Sequence, residues 1–160
     1  MYQKIIVAMD GSESSKRALD EALRIAALMH AQVHALYLVE KAPVFPYTCH
    51  YDMALMHDNL HRHGQAVLNE AAQAIAAANV NGETELVEMN RMADDIAGCL
   101  QRCARHYGAD LVVMGTHGYR GVRRAVLGSV AEGFLRGSTC PVLLVRDRKA
   151  DSDSHAPAQG

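Results

Sequence analysis

Asp110-Leu111-Val112-Val113-Met114-Gly115-Thr116-His117-Gly118, followed after nine residues by Gly128-Ser129, is where the organisation of this chain first becomes readable. Leu111 to Met114 is an apolar run too short for a helix, which reads as a buried strand. Val130-Ala131-Glu132-Gly133-Phe134-Leu135, just beyond the second glycine, reads as a short helix. Glycine at a strand exit lets backbone amides approach a ligand closely, because no Cβ intervenes. Gly-Ser at a helix start offers N–H groups without intrahelical partners, at the positive end of the helix dipole, and so suits an anion. The two features together predict a phosphate cradle, and hence a nucleotide.

Working outward, the same strand-then-helix rhythm recurs. Residues 4–9 form an apolar, β-branched run, closed by the turn Asp10-Gly11-Ser12. Ser12 is suited to cap the following helix, with Glu13 in its first turn and Ala18, Leu19, Ala22, Ile25, Ala26 and Met29 on one face. A second strand is expected over 31–39. Pro43 and Pro46 then break the pattern, and 42–56 is the least regular stretch of the body. A long helix is expected over 57–79, with Leu60, Val67, Leu68, Ala71, Ile75 and Ala78 inward and Asn81-Gly82 ending it. Residues 83–89 alternate charged and apolar side chains, as on a sheet-edge strand with one wet face. The helix expected over 93–107 carries Ala93, Ile96, Ala97, Leu100, Cys103, Ala104 and Tyr107 on one stripe and meets Gly108 at its stop. A last strand, Val142 to Val145, follows Pro141, and the polar residues 147–160 are expected to be disordered. The order β-α-β-α-β-α-β-α-β implies an α/β fold with a parallel sheet and helices on both faces.

Composition narrows the function classes. The chain has 160 residues, enough for one domain with a real core, and a formal net charge of -2, which favours neither nucleic acid nor an anionic membrane. No apolar run approaches the roughly 18 residues of a membrane span. The N-terminus runs directly into strand-like sequence rather than a signal peptide. The four cysteines, Cys49, Cys99, Cys103 and Cys140, contain no CxxC pair and are most simply reduced thiols of a cytoplasmic protein.

Three stretches carry a resemblance to a known family. They are Ile5-Ile6-Val7-Ala8-Met9-Asp10-Gly11-Ser12, Asp110 to Gly118, and Gly128-Ser129-Val130-Ala131-Glu132 with Cys140-Pro141-Val142-Leu143-Leu144-Val145. Over about residues 1–146 the chain resembles the universal stress protein (UspA-like) family. The spacing G-x2-G-x9-G-[ST] is the mark of that family's ATP-binding branch. The resemblance implies a Rossmann-like open sheet of strand order 3-2-1-4-5. The first and fourth strands are then neighbours at the topological switch point, where open α/β sheets bind ligands.

The roles that the resemblance implies fall on the matching residues. Gly115 and Gly118 would let the loop wrap the ribose and α-phosphate. Gly128, Ser129 and the Val130 amide would bind phosphates, the Ser129 hydroxyl also helping to hold a metal-bound phosphate. Asp10 would accept hydrogen bonds from the ribose or an adenine edge, the alternative being that it only orders its own turn. Ala8, Leu38 and Met114 would wall an adenine slot. ATP, with or without Mg2+, is the implied ligand, and a homodimer through the last strand, Val142 to Val145, the implied assembly. Where the family often has Gly-x-Pro after its third strand, this chain has Asn90-Arg91-Met92. The implied function is a stress-response sensor or regulator; the alternatives are a slow ATP hydrolase or nucleotidyl transferase on the same fold, or a nucleotide-free interaction module.

Other chemistry-bearing residues are weaker signals. His57 and His61 stand four apart on a helix with His50, Cys49 and His63 nearby, as a soft metal would accept, but His-rich surface helices are commoner than metal sites. Arg120, Arg123 and Arg124 lie within the glycine-flanked loop, where they could meet phosphates or simply face solvent. Cys99 and Cys103 read as packing, with Cys103 on the core stripe. No nucleophile elbow, Walker A lysine or paired carboxylate motif is present, and His117 reads as a residue shaping the loop. The residues suit holding a nucleotide rather than consuming it quickly.

Overall fold

The computed structural model describes residues 1–40, 50–89, 95–116 and 127–146. Expectations placed on Cys49, Asn90 to Met92, Ala93, His117, Gly118, the three loop arginines and the 147–160 tail lie outside the described residues. Among the described residues, nine elements alternate: β1 (Lys4–Met9), α1 (Glu13–Met29), β2 (Gln32–Glu40), α2 (His50–Ala77), β3 (Gly82–Met89), α3 (Ile96–Tyr107), β4 (Leu111–Gly115), α4 (Ser129–Gly137) and β5 (Val142–Val145). The strands form one parallel sheet in the order β3-β2-β1-β4-β5. Ile5 stands opposite Val33 and Leu111, and Met114 opposite Ala8 and Leu144.

The central strands are apolar on both faces because both are covered. Ile5, Val7, Met9, Val33, Ala35, Tyr37, Leu111 and Val113 pack under α1 and α2, against Ala18, Ala22, Val67, Leu68 and Ile75. Ile6, Leu36, Val112 and Met114 pack under α3 and α4, against Ala97, Leu100, Ala131 and Phe134. At the amino end, the Asp110 carboxylate accepts from the amides of Gln3 (2.8 Å) and Lys4 (3.0 Å), locking the start of β1 to that of β4.

The helix ends show where the sequence reading needs correcting. Ser12 caps α1 as expected, accepting from the Ser15 amide, and Gly108 closes α3 in the left-handed conformation. α2, however, begins at His50, so 50–56 are helical. Residues 50–56 contain neither proline nor glycine, so nothing in them opposes a helix. Leu60 is 41% exposed and Ala78 is exposed too; among the described side chains, the buried face of α2 runs from Gly64 to Ile75. α2 stops because Asn79 takes φ 52, with the Val80 amide reaching back to the Ile75 carbonyl at 3.3 Å. Gly82 belongs to β3, where a Cβ would lie 2.5 Å from the Val33 carbonyl oxygen. The cap of α3 is Asp95, whose Oδ1 accepts from the Gly98 amide at 2.7 Å. Ile96 is exposed, and Cys99 (2% exposed) is buried more deeply than Cys103.

Candidate functional site

β1 and β4 are paired neighbours, yet the chain leaves them toward opposite faces: α1 packs on one side of the sheet, α4 on the other. Their carboxyl ends therefore frame a crevice, the general ligand position of an open α/β sheet. Asp10 leaves β1 there. Its Oδ1 accepts from the Ser12 amide (2.8 Å) and the Ser12 hydroxyl (2.5 Å), while the Asp10 amide donates to Ser15 Oγ at 3.4 Å. Gly11 between them takes φ 82, a conformation glycine adopts without steric cost. Ser15 Oγ donates in turn to the Ser12 carbonyl at 2.9 Å, and Ser12 Oγ lies 3.1 Å from Ser14 Oγ. The carboxylate is thus held in a fixed orientation by a serine network at the head of α1.

On the β4 side the chain is fixed as tightly. The Thr116 amide donates to the Val145 carbonyl (2.9 Å), and the Thr116 carbonyl accepts from the Gly128 amide (2.8 Å). That bond brings the end of the glycine-flanked loop back to its start and places α4 at the mouth of the crevice. Gly128 is the N-cap of α4, extended at φ -62 and ψ 150, and has no side chain to cap with. The first intrahelical bond runs from the Glu132 amide to the Gly128 carbonyl. The amides of Ser129, Val130 and Ala131 precede it and have no intrahelical acceptor. Between Asp10 and this helix start lies an apolar floor: Ala8, Leu38 and Met114 share the α3/α4 face of the sheet, Met114 buried and the other two partly covered. Val130 packs against the same cluster.

The described residues of the expected site thus gather at one end of the sheet, but two glycines have specific structural duties there. Gly128 commits its amide to Thr116. Gly115 faces α1, and a Cβ on it would lie 2.8 Å from Ser14 Cβ. Ser14 and Ser15, both buried, escaped the sequence reading, although the Asp10-Gly11-Ser12-Glu13-Ser14-Ser15 string was the available signal. His63, read from the sequence only as a neighbour of the His57 and His61 pair, stands instead at this turn: its ring would touch a Cβ on Gly11 at 2.8 Å and meets Tyr37 edge-on with ring centroids 6.0 Å apart.

Among the described residues, the remaining candidates do not converge on a metal. The His57 and His61 ring centroids are 5.9 Å apart, and His61 Nε2 lies 3.4 Å from Glu88 Oε1. Among the described residues no three His, Cys, Asp or Glu side chains come together as a metal site. Burial, with Cys103 beside it, pushes the Cys99 thiol up to about 11, and burial also raises Cys103; both disfavour the reactive thiolate. A cavity of about 270 Å³ lies at the other end of the sheet, lined by Lys4, Gln32, His34, Asn81, Glu83 and Tyr107. No described helix is long and apolar enough to cross a membrane.

Comparison with known proteins agrees with this geometry. The family model of the universal stress protein family matches residues 1–146. A universal stress protein of Methanocaldococcus jannaschii is 34% identical over 151 residues, covering 94% of this chain and 86% of its own. The crystal structure of a universal stress family protein from Burkholderia pseudomallei is 38% identical, with a TM-score of 0.72 over 90% of this chain and 96% of its own. A universal stress protein solved in complex with cAMP is 30% identical, with a TM-score of 0.65 over 90% of this chain and 97% of its own. With strand order, crevice and sequence in agreement, the chain belongs to the universal stress protein family.

Proposed function

We propose that this universal stress protein binds an adenine nucleotide, ATP with Mg2+ foremost, across the carboxyl ends of β1 and β4, and works in the cytoplasm as a stress-response sensor or regulator. One observation carries the reading: the oriented Asp10 carboxylate and the first-turn amides of α4 stand at adjacent strand ends, above a partly covered apolar floor. A base needs an apolar slot, a ribose needs an acceptor, and phosphates need donors near positive charge. Ala8, Leu38 and Met114 supply the first, Asp10 the second, and Ser129 and Val130 the third. Gly115, Gly118 and Gly128 shape the loop around the sugar and phosphates. The related protein solved with cAMP supports a nucleotide of this class. The Ser129 hydroxyl would share a phosphate-bound metal.

β5, the apolar edge strand Val142–Val145, is the surface through which a second copy would pair, because an unpaired apolar edge offers a ladder of free backbone groups. Binding at Ser129 then reaches that edge through the Thr116–Val145 bond.

Thermal shift tests the reading directly. ATP, AMP and cAMP are each added to purified protein with Mg2+, and phosphate release is followed in parallel. A ligand at about 100 times its dissociation constant stabilises the fold by about 2.7 kcal/mol. A shift without steady phosphate release supports a nucleotide sensor; continuous release points to the hydrolase, and no shift at millimolar nucleotide to an interaction module.

A further inference from the structure

At the end of the sheet away from the nucleotide crevice, β2 presents His34 between two carboxylates of the edge strand. The residue is 8% exposed. Its Nδ1 lies 2.8 Å from Glu83 Oε1 and its Nε2 3.1 Å from Glu85 Oε2. Tyr107, at the end of α3, covers the ring with centroids 3.9 Å apart and donates its hydroxyl to the same Glu85 oxygen. We propose that His34 is a pH-dependent clamp, fastening the edge strand β3 to the sheet through both ring nitrogens when the imidazole is doubly protonated and releasing one carboxylate when it is not.

The argument is one of donors. A carboxylate accepts and does not donate, whereas a neutral imidazole has one N–H and one lone pair. With both nitrogens against carboxylates, a neutral ring leaves a lone pair facing an anion, whichever tautomer it takes. Turning the ring over does not help, since that sets carbon where the nitrogens now stand. Two protons satisfy both contacts, and both become charge-assisted. Tyr107 cannot supply the missing donor to Glu83, because its hydroxyl is committed to Glu85. Burial and that carboxylate push the phenol above its usual range, so it remains a donor as pH rises.

The surroundings make the clamp matter. On this face β3 offers Glu83, Glu85, Val87 and Met89, so its amino-terminal half presents only carboxylates there. Among the described residues β3 is an edge strand, paired with β2 alone. The charged and titratable groups facing the ring are therefore Glu83 and Glu85 from β3 and Tyr107 from α3. Cys103 and His106 lie beside that phenol, and Lys4 from β1 donates through Nζ to the Tyr107 carbonyl at 3.0 Å. The carboxylate of Asp110 is occupied by the amides of Gln3 and Lys4.

Imidazole nitrogen NMR on the full chain reads the clamp. Both His34 nitrogens should be protonated at about pH 6. The His34 titration midpoint should fall in both E83Q and E85Q, whose side chains are exposed enough for the fold to survive. Hydrogen exchange gives the second reading. As pH rises through that midpoint, β3 amides should lose about tenfold in protection relative to β1 amides, the scale of one charge-assisted hydrogen bond. A ring carrying one proton at about pH 6, a midpoint unmoved by both substitutions, or β3 protection that tracks β1 across the titration would each overturn the proposal.

Discussion

Ser14 occupies the space in which a Gly115 side chain would stand: a Cβ there would lie 2.8 Å from Ser14 Cβ and 3.1 Å from the Ser14 carbonyl carbon. Backbone as well as side chain blocks the position, so a rotamer change at Ser14 cannot make room. The glycine that closes β4 is therefore required by the approach of α1 to the sheet. Gly115→Ala should destabilise the fold by about 1–3 kcal/mol, the usual cost of overpacking. Urea denaturation would show a lower midpoint at unchanged slope. An unaltered midpoint would mean that α1 can shift freely, contrary to the serine network that holds its head.

The cap of α3 makes a second, independent test. Asp95 Oδ1 accepts from the Gly98 amide at 2.7 Å, satisfying one of the helix's first-turn donors. Asp95→Ala should cost about 1 kcal/mol and Asp95→Asn much less, since the amide oxygen can still accept. Equal losses in the two variants would assign the effect to charge rather than to the cap.

Alkaline pH should weaken the fold through Cys99 and Tyr107. Burial raises the Cys99 thiol from 9.0 to about 11, and burial with the Glu85 carboxylate raises the Tyr107 phenol from 10.0. Both groups are favoured in their neutral form when folded. Their contribution is fully present below the unfolded values and is lost as pH rises through the folded ones. Stability should therefore decline from about pH 9 toward 11, and Cys99→Ala should flatten the early part of that decline. At pH 8 a thiol reagent should label Cys99 only as fast as the protein opens.

How much of this could be read in the residues depended on the range of the interaction involved. Strand and helix order followed from local periodicity, which the chain carries openly at Leu111 to Met114 and across α1. The strand order came from the family resemblance; nothing local in β1 says that it pairs with β4. α2 begins ahead of the expected start because Pro43 and Pro46 extend the irregular reading over 50–56, which hold no breaker of their own. Cys99 and Cys103 were assigned in the reverse order of burial because one turn of helix separates them, and the depth of each depends on α4 and the sheet. The site was legible as an Asp10 and a pair of glycines, but not as a mechanism of positioning. That Gly115 answers to Ser14, and that the Gly128 amide belongs to Thr116, are facts of tertiary approach. A glycine pattern read alone assigns such freedom to the ligand when part of it serves the fold.

The distinction between fold and ligand can be tested at one residue. Ser129 is the first helical position of α4, and Gly128 before it is extended at φ -62 and ψ 150. Proline is favoured at that position of a helix, and the residue preceding proline is favoured in that extended region. The Ser129 amide has no intrahelical acceptor to lose. Ser129→Pro should therefore leave the melting temperature of the free protein within about 2 °C of the parent, an effect below about 0.5 kcal/mol. The same change deletes both an amide donor and the hydroxyl from the proposed phosphate site. Nucleotide affinity measured by calorimetry should fall at least about tenfold, because a hydrogen bond to a charged group contributes about 1.5–3 kcal/mol. Ser129→Ala, which keeps the amide, should fall by less. Full affinity in Ser129→Pro, with the fold intact, would remove the head of α4 from the phosphate site and leave Asp10 to account for binding alone.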